Sequence, residues 1–251
     1  MHRNVWRLTM VALALTALAA APTFAGTEPQ NAAQSEAQAA KDGTLTRSQG
    51  WEVRYGIAGG EAVIAGLVNL AGKAESFAVD LYKSKDAATG DTLALGVGEA
   101  HGLFAVPLEA AAATVVDYPN VKNISPRVRE VKVLESSTAR WRVYEDIGIN
   151  FMGISIGYKL DAETFREALP GGAIGIRCRL IKSHDGKLYA ADSSWYFRAI
   201  EIGGVSYTYI RTWSTSGLRN PGPGVAGIMK LFTAGELRDQ VVSVAKVAAK
   251  R

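Results

Sequence analysis

Cysteine occurs once in the 251 residues, at Cys178, and histidine only three times. A single cysteine excludes an internal disulfide, so burial alone must hold the fold together. The few histidines narrow the chemistry further. His2 lies in a leader-like N-terminus, and no closely spaced set of histidine, cysteine and acid has the spacing of a zinc site. No metal and no cofactor is therefore expected. A G-x-S-x-G elbow is missing, and the glycine pairs Gly59-Gly60, Gly171-Gly172 and Gly203-Gly204 lack the lysine of a phosphate-cradling loop. Motifs thus assign no catalytic residue. Charge of one sign is lacking too: 28 basic residues face 24 acidic ones, far from the basic excess of a dedicated nucleic-acid binder. Nor does any apolar run reach the roughly 20 residues that a transmembrane helix needs.

Hydrophobic residues make up 48% of the chain, enough for a sizeable core. Arg3 and Arg7 flank the start of an apolar run over residues 10–21, followed by Pro22, Thr23, Phe24 and Ala25. That order is a secretory signal pattern, so residues 1–25 are expected to be removed and the protein to be periplasmic or secreted. No cysteine stands at the cleavage site, which argues against a lipid anchor. Residues 26–50 are rich in Ala, Gln, Thr and Ser, with Leu45 their one large apolar side chain, and form an expected flexible tether.

Residues 51–90 are expected to be an N-terminal helical element. Val63, Leu67, Leu70, Ala71 and Ala74 share one face at helical spacing over residues 61–78, although Gly66 and Gly72 weaken it. Residues 93–107 favour a strand and residues 108–116 a helix, which Asp117-Tyr-Pro119 ends; residues 123–126 form a second short turn or helix. Alternating runs then follow over residues 131–135, 140–147, 152–160, 174–182, 188–199 and 205–213. Asp185-Gly186 and Gly203-Gly204 mark tight hairpins, so the sheet is mainly antiparallel. After Asn220-Pro-Gly-Pro-Gly224 the pattern is helical. Thr233 and Glu236 form a capping box, and Leu237, Val241, Val244 and Ala248 form one stripe that must be buried on the sheet.

The short matches Val106-Pro-Leu-Glu109, Asp117-Tyr-Pro-Asn120, Ser125-Pro126, Val131-Lys-Val-Leu-Glu135 and Trp141-Arg-Val-Tyr-Glu145 lead to a glycine-rich entry into a last helix. In that order they resemble the START-like or SRPBCC superfamily, which includes polyketide cyclase-like and coenzyme Q-binding-like members. The resemblance covers residues 91–250. It implies an α+β helix-grip fold, with a curved antiparallel sheet wrapped around a long C-terminal helix, and a ligand-binding domain over residues 91–251. It also implies a tunnel for a lipid, sterol-like, quinone-like or other apolar molecule between the sheet and that helix.

Side-chain alternation through the two hairpins sets Cys178 opposite Ser193, Ile176 opposite Trp195 and Ile174 opposite Phe197; Phe197 then meets Ile210, and Trp195 meets Thr212. One face is apolar with a few hydroxyls, which suits either a filled core or an enclosed site for an apolar ligand with a polar head. Cys178 shares that face as a buried small hydrophobe. The candidate ligand-binding residues are Trp141, Glu145, Ile154, Tyr158, Ile176, Ser193, Trp195, Phe197, Ile210 and Thr212. If Trp141 faces the interior, so does Glu145, whose carboxylate must then pair, ionise at a mouth or contact ligand. Gly153 and Gly157 leave the other side of their strand open to close approach.

The opposite face carries Arg177, Arg179, Asp192, Tyr196, Arg198, Tyr207, Tyr209, Arg211 and Trp213. It is a solvated sheet face, or else a contact surface for a membrane or a protein, and export argues against nucleic acid. His184 beside Asp185 reads as a solvated turn residue, and His101 as structural or pocket-lining. The leading expectation is an exported carrier of an apolar small molecule. The alternatives are a cyclase- or hydrolase-like enzyme using Glu145, His101 or Tyr158 as acid or base, and an interaction module using the Arg and Tyr face. Mass determination of the exported protein should find Gly26 at the N-terminus; a retained Met1 would contradict the leader.

Overall fold

A computed structural model describes residues 45–48, 51–57, 61–77, 80–151 and 154–251. The leader and most of the tether lie outside the described residues. Strands β1 (Leu45–Ser48) and β2 (Trp51–Arg54) form a two-stranded hairpin. The remaining strands are β3 (Lys73–Ser76), β4 (Asp80–Lys85), β5 (Thr92–Phe104), β6 (Val128–Ser136), β7 (Arg140–Phe151), β8 (Ile154–Leu169), β9 (Ala173–Ser183), β10 (Leu188–Ala190), β11 (Ser193–Ile202) and β12 (Val205–Arg219). These ten form one curved antiparallel sheet in the order β3-β5-β12-β11-β9-β8-β7-β6, with β4 also on β5 and β10 also on β12. Helix α1 (Leu108–Val115) and a 3-10 helix at Tyr118–Asn123 join β5 to β6, and helix α2 (Val225–Ala248) follows the last strand. This is the helix-grip arrangement, and the fold class is α+β.

The stripe on α2 is buried as its spacing requires: Leu237 is 5% exposed, and Val241 and Val244 not at all. They pack with Phe104, Ile174, Phe197 and Ile210 of the sheet and with Ala111 and Ala112 of α1. Each such side chain contributes about 1.5–3 kcal/mol by leaving water. The helix starts eight residues before Thr233, so the capping-box reading is corrected. Gly224, at φ 81° and next to Pro223, turns the chain into the helix, and burial of Ile228 in the first turns favours the upstream start.

The single helix expected over residues 61–78 is also corrected. A 3-10 helix spans Glu61–Leu70, and Gly72, at φ 73°, turns the chain into β3, which pairs with β5. Leu67 and Leu70 are buried as expected, but pairing with a free sheet edge outweighs the weak helical preference of a segment with two glycines. Strands β3 and β4 therefore belong to the main sheet. The expected strand over residues 152–160 runs on to Leu169. Its charged continuation is stabilised by partners: Asp161 accepts from His184 Nε2 at 2.8 Å, and Glu163 pairs with Arg140 and with Arg179, the latter at 3.0 Å. His184 is therefore a hydrogen-bond partner of the sheet. The bare side at Gly148 and Gly157 is covered by the Arg129 side chain; Gly153 lies outside the described residues.

The hairpin registers are those the alternation requires: Cys178↔Ser193, Ile176↔Trp195, Ile174↔Phe197, Phe197↔Ile210 and Trp195↔Thr212. Gly203 and Gly204 take positive φ in the tight turn between β11 and β12. The other connection differs, because β10 leaves β9 and pairs with β12. Replacing Val241 by Asp should lower stability by several kcal/mol, since it places an unpaired charge in the core. Thermal melting within a degree or two of wild type would contradict this packing.

Candidate functional site

The inner face of the sheet is divided along its strands. At one end Phe197 and Ile210, both fully buried, fill the space under the C-terminal half of α2. Two residues further along β12 the side chains become Thr212, then Ser214 and Ser216, too small to reach the helix. A cavity of about 290 Å³ opens there, between the sheet and the stretch of α2 from Ile228 to Gln240. Its apolar wall includes Ile147 of β7, Ile156 and Leu160 of β8, Trp195 of β11, and Ile228 and Leu237 of α2. Trp195 stacks on Phe197 with ring centroids 6.2 Å apart and marks the boundary between filled core and cavity.

Serine and threonine hydroxyls dominate the polar part of the lining, which also holds three carboxyls, those of Glu145, Asp192 and Glu236. Glu145 projects from β7 beside Ile147, and no described residue gives it a hydrogen bond or ion pair. Burial alone pushes its carboxyl up to about 7. Burial likewise pushes Asp192 up to about 6, opposed by the Leu180 N–H, which donates to Asp192 Oδ1 at 3.3 Å, and by Arg179. Thr215 fixes the Asp192 backbone, donating its N–H to the carbonyl at 2.7 Å. Burial also raises Cys178, to about 12, helped by the fields of Glu145 and Asp192, so the thiol is inert at neutral pH. Burial and then Asp185 raise Tyr158 to about 12. At the rim Arg127 pairs with Glu236 of α2 at 2.8 Å. The described residues contain no group of acids, histidines and cysteines fit to hold a metal.

Of the expected ligand-contacting residues, Glu145, Tyr158, Ser193, Trp195 and Thr212 line the cavity. Ile176, Phe197 and Ile210 do not: they share its face but lie in the packed core. Trp141 packs against the cluster around Val143, Leu160 and Ala162, outside the lining. The Ile154 side chain lies outside the described residues. Ser214 and Ser216 were legible by carrying the alternation past Trp213. Asp192 was not, because the chain leaves strand geometry at Ala191 and Asp192 and the alternation that assigned it to the outer face breaks there.

The outer face also differs from expectation. Arg177, Tyr209 and Arg211 are buried, and the chain's own N-terminal segment covers part of this face. Tyr55 and Ile57 pack with Leu67, Leu70, Tyr196 and Tyr209, and the Tyr55 ring lies against Gly175, where a Cβ would collide with it. Arg211, fully buried, donates to the carbonyls of Tyr55 and Gly56 at 3.4 and 3.3 Å and to Glu99 at 2.8 Å. Burying one guanidinium thus holds down the N-terminal segment. Arg177 pairs with Glu167, while Arg179, Arg198 and Tyr207 are half-buried. His101 is on this face too, 5% exposed, with Nδ1 2.8 Å from the Tyr209 hydroxyl. Strand parity keeps it out of the cavity, which removes it from any shared acid–base site there.

No protein-family model matches the chain, and no curated protein matches it. Among solved structures it is similar to the STAR-related lipid transfer protein (fragment 25-204) from Xanthomonas axonopodis, with 12% identity and a TM-score of 0.48 over 66% of this chain and 97% of that one. It is also similar to the human StarD13 (DLC2) lipid transfer and protein localization domain, with 10% identity and a TM-score of 0.47 over 67% and 89% of the two chains. The Zhui aromatase/cyclase from Streptomyces sp. R1128 is similar at 15% identity and a TM-score of 0.40, over 62% and 92%. These likenesses are of fold.

The raised carboxyls set the sign of a pH dependence. As pH rises from about 4.5 towards 7, the Glu145 carboxyl ionises in the unfolded chain first, so the native state holds the extra proton and stability falls. Asp192 acts in the same direction between about 3.8 and 6. Replacing Glu145 by Gln should therefore stabilise the protein relative to wild type increasingly from pH 5 to pH 8, by up to about 2 kcal/mol. Urea unfolding at the two pH values measures this, and a difference independent of pH would contradict the desolvation of Glu145.

Proposed function

We propose that the protein is an exported carrier that binds one apolar small molecule, lipid-, sterol- or quinone-like, in the cleft between the sheet and α2. The observation that carries this reading is the cavity itself. The sheet face that is a filled core at Phe197 and Ile210 is open over Ser193, Thr212 and Ser214, with an apolar wall faced by serine and threonine hydroxyls and three carboxyls. Its volume is near the small end of the roughly 300–1,000 Å³ of small-molecule sites. The leader pattern of residues 1–25 supports export.

Magnitudes show how such a site selects its ligand. Burying ten methylenes contributes about 8 kcal/mol, of the same order as the roughly 4–15 kcal/mol that association costs in lost freedom. Apolar burial alone therefore gives modest affinity, and the polar groups around the head decide between ligands of equal chain length.

Titration with the neutral fluorescent probe Nile red tests the cleft. The wild type should bind one equivalent. Ser193→Phe, which places a ring between Cys178 and Ser214, should weaken uptake at least tenfold while shifting the melting temperature by only a few degrees, since an open cavity accepts bulk that a packed core rejects. No uptake by the wild type, together with unfolding of Ser193→Phe, would show that the interior is filled.

A further inference from the structure

His101, which the cleft does not use, sits in a row of charge on the outer face. Glu75 of β3, His101 of β5 and Arg211 of β12 are direct cross-strand partners on adjacent strands. His101 is 5% exposed and Arg211 not at all, whereas Glu75 is exposed. The His101 ring has its Nδ1 2.8 Å from the Tyr209 hydroxyl and its Nε2 3.9 Å from Glu75 Oε2, with the Phe77 ring against it at a centroid distance of 5.0 Å. Among the described residues, the charged and titratable groups that face it are Glu75 from β3, Glu99 from its own strand, and Tyr209 and Arg211 from β12. The N-terminal segment meets this row through the Tyr55 and Gly56 carbonyls, which accept from Arg211, while the Tyr55 hydroxyl lies by Glu167 and Gly175.

With His101 neutral, the row runs from a carboxylate through an uncharged ring to the Arg211 guanidinium, which Glu99 balances at 2.8 Å. The Glu75 carboxylate favours the tautomer with its hydrogen on Nε2, so Nδ1 accepts from the Tyr209 hydroxyl. Protonation at Nδ1 reverses that bond and sets a cation directly opposite Arg211. Like charges directly opposite on neighbouring strands are destabilising, and water screens a buried pair far less than an exposed one. Glu75 opposes this only weakly, because its attraction acts through solvent. We propose that His101 is an acid-sensitive latch: its protonation weakens the hold of Arg211 on the Tyr55 and Gly56 carbonyls and releases the N-terminal segment from the sheet, uncovering Tyr196 and Tyr209. Burial, helped by Arg211, keeps the imidazole below its ordinary value of 6.5 against the pull of Glu75 and Glu99. The unfolded segment therefore takes the proton first, and the latched state loses stability as the pH falls below about 6.5. Glu145 and Asp192 act in the opposite sense, so their titration does not produce this loosening.

Amide hydrogen exchange of the full chain between pH 7.5 and pH 5, corrected for the intrinsic pH dependence of exchange, tests this. Protection at Tyr55, Gly56 and Ile57 should fall at least tenfold at pH 5, while the amides of β8 and β9 keep or gain protection. His101→Gln, which carries no charge at either pH, should remove the fall. Glu75→Gln, at an exposed site, should move its midpoint to lower pH, since it takes away an acid that favours the imidazolium. Protection of the segment that does not change with pH, or that is lost equally in β8 and β9, would overturn the proposal. A fall that persists in His101→Gln would overturn it too, by assigning the effect to another group such as His184. Should His101→Gln fail to fold, Glu75→Gln decides, and a midpoint that stays or rises would overturn the latch.

Discussion

Side chains alternate along β9, β11 and β12, and both faces of the sheet depend on that two-residue repeat keeping one parity from strand to strand. With Cys178 opposite Ser193 and Trp195 opposite Thr212, every second residue points towards α2 and every other one towards the N-terminal segment. A slip of one residue would bring Arg177, Tyr196 and Arg211 under the helix and leave Trp195, Phe197 and Ile210 on the outside. The tight turn at Gly203 and Gly204 fixes the register on one side, and the pairing of β9 with β8 over Ala173–Ser183 fixes it on the other.

Given that parity, each face solves a different problem. The outer face must bury charge, and does so in pairs: Arg211 with Glu99 and two carbonyls, Glu163 with Arg140 and Arg179, Arg177 with Glu167. Such pairs contribute little net stability, but losing one partner leaves a buried charge uncompensated, and Arg211, bonded to the Tyr55 and Gly56 carbonyls, fixes where the N-terminal segment sits. The inner face must bury apolar surface under one helix. The end of α2 from Val241 to Ala248 meets large side chains and closes on them, whereas the stretch from Ile228 to Gln240 faces serines and threonines and leaves a cavity. The cavity follows that change in side-chain size along β12.

Much of this was legible because alternation is a strong signal where strands are regular. The face partition of β9, β11 and β12 and the α2 stripe came from spacing, while spacing tied the side of Glu145 only to that of Trp141. What was missed has local physical causes. Strand β8 runs on through Asp161 and Glu163, whose charges hide a buried strand until their partners are known. Asp192 sits where the chain leaves the β conformation. Position along a strand, as distinct from face, cannot be read from parity, so Ile176, Phe197 and Ile210 were grouped with Trp195 and Thr212 although α2 packs over one set and stands off from the other. The outer face looked open because the residues that cover it, Tyr55 and Ile57, lie far away in sequence.

The central claim is that the inner-face cleft under residues 228–240 of α2 is the binding site. Amide NMR shifts recorded while a neutral twelve-carbon ligand is added test it most directly. Shift changes should cluster at Ile147, Tyr158, Ser193, Thr212, Ser214 and Leu237, and leave Tyr55, His101 and Arg211 unmoved. Changes confined to the outer face, or none at saturating ligand, would contradict it.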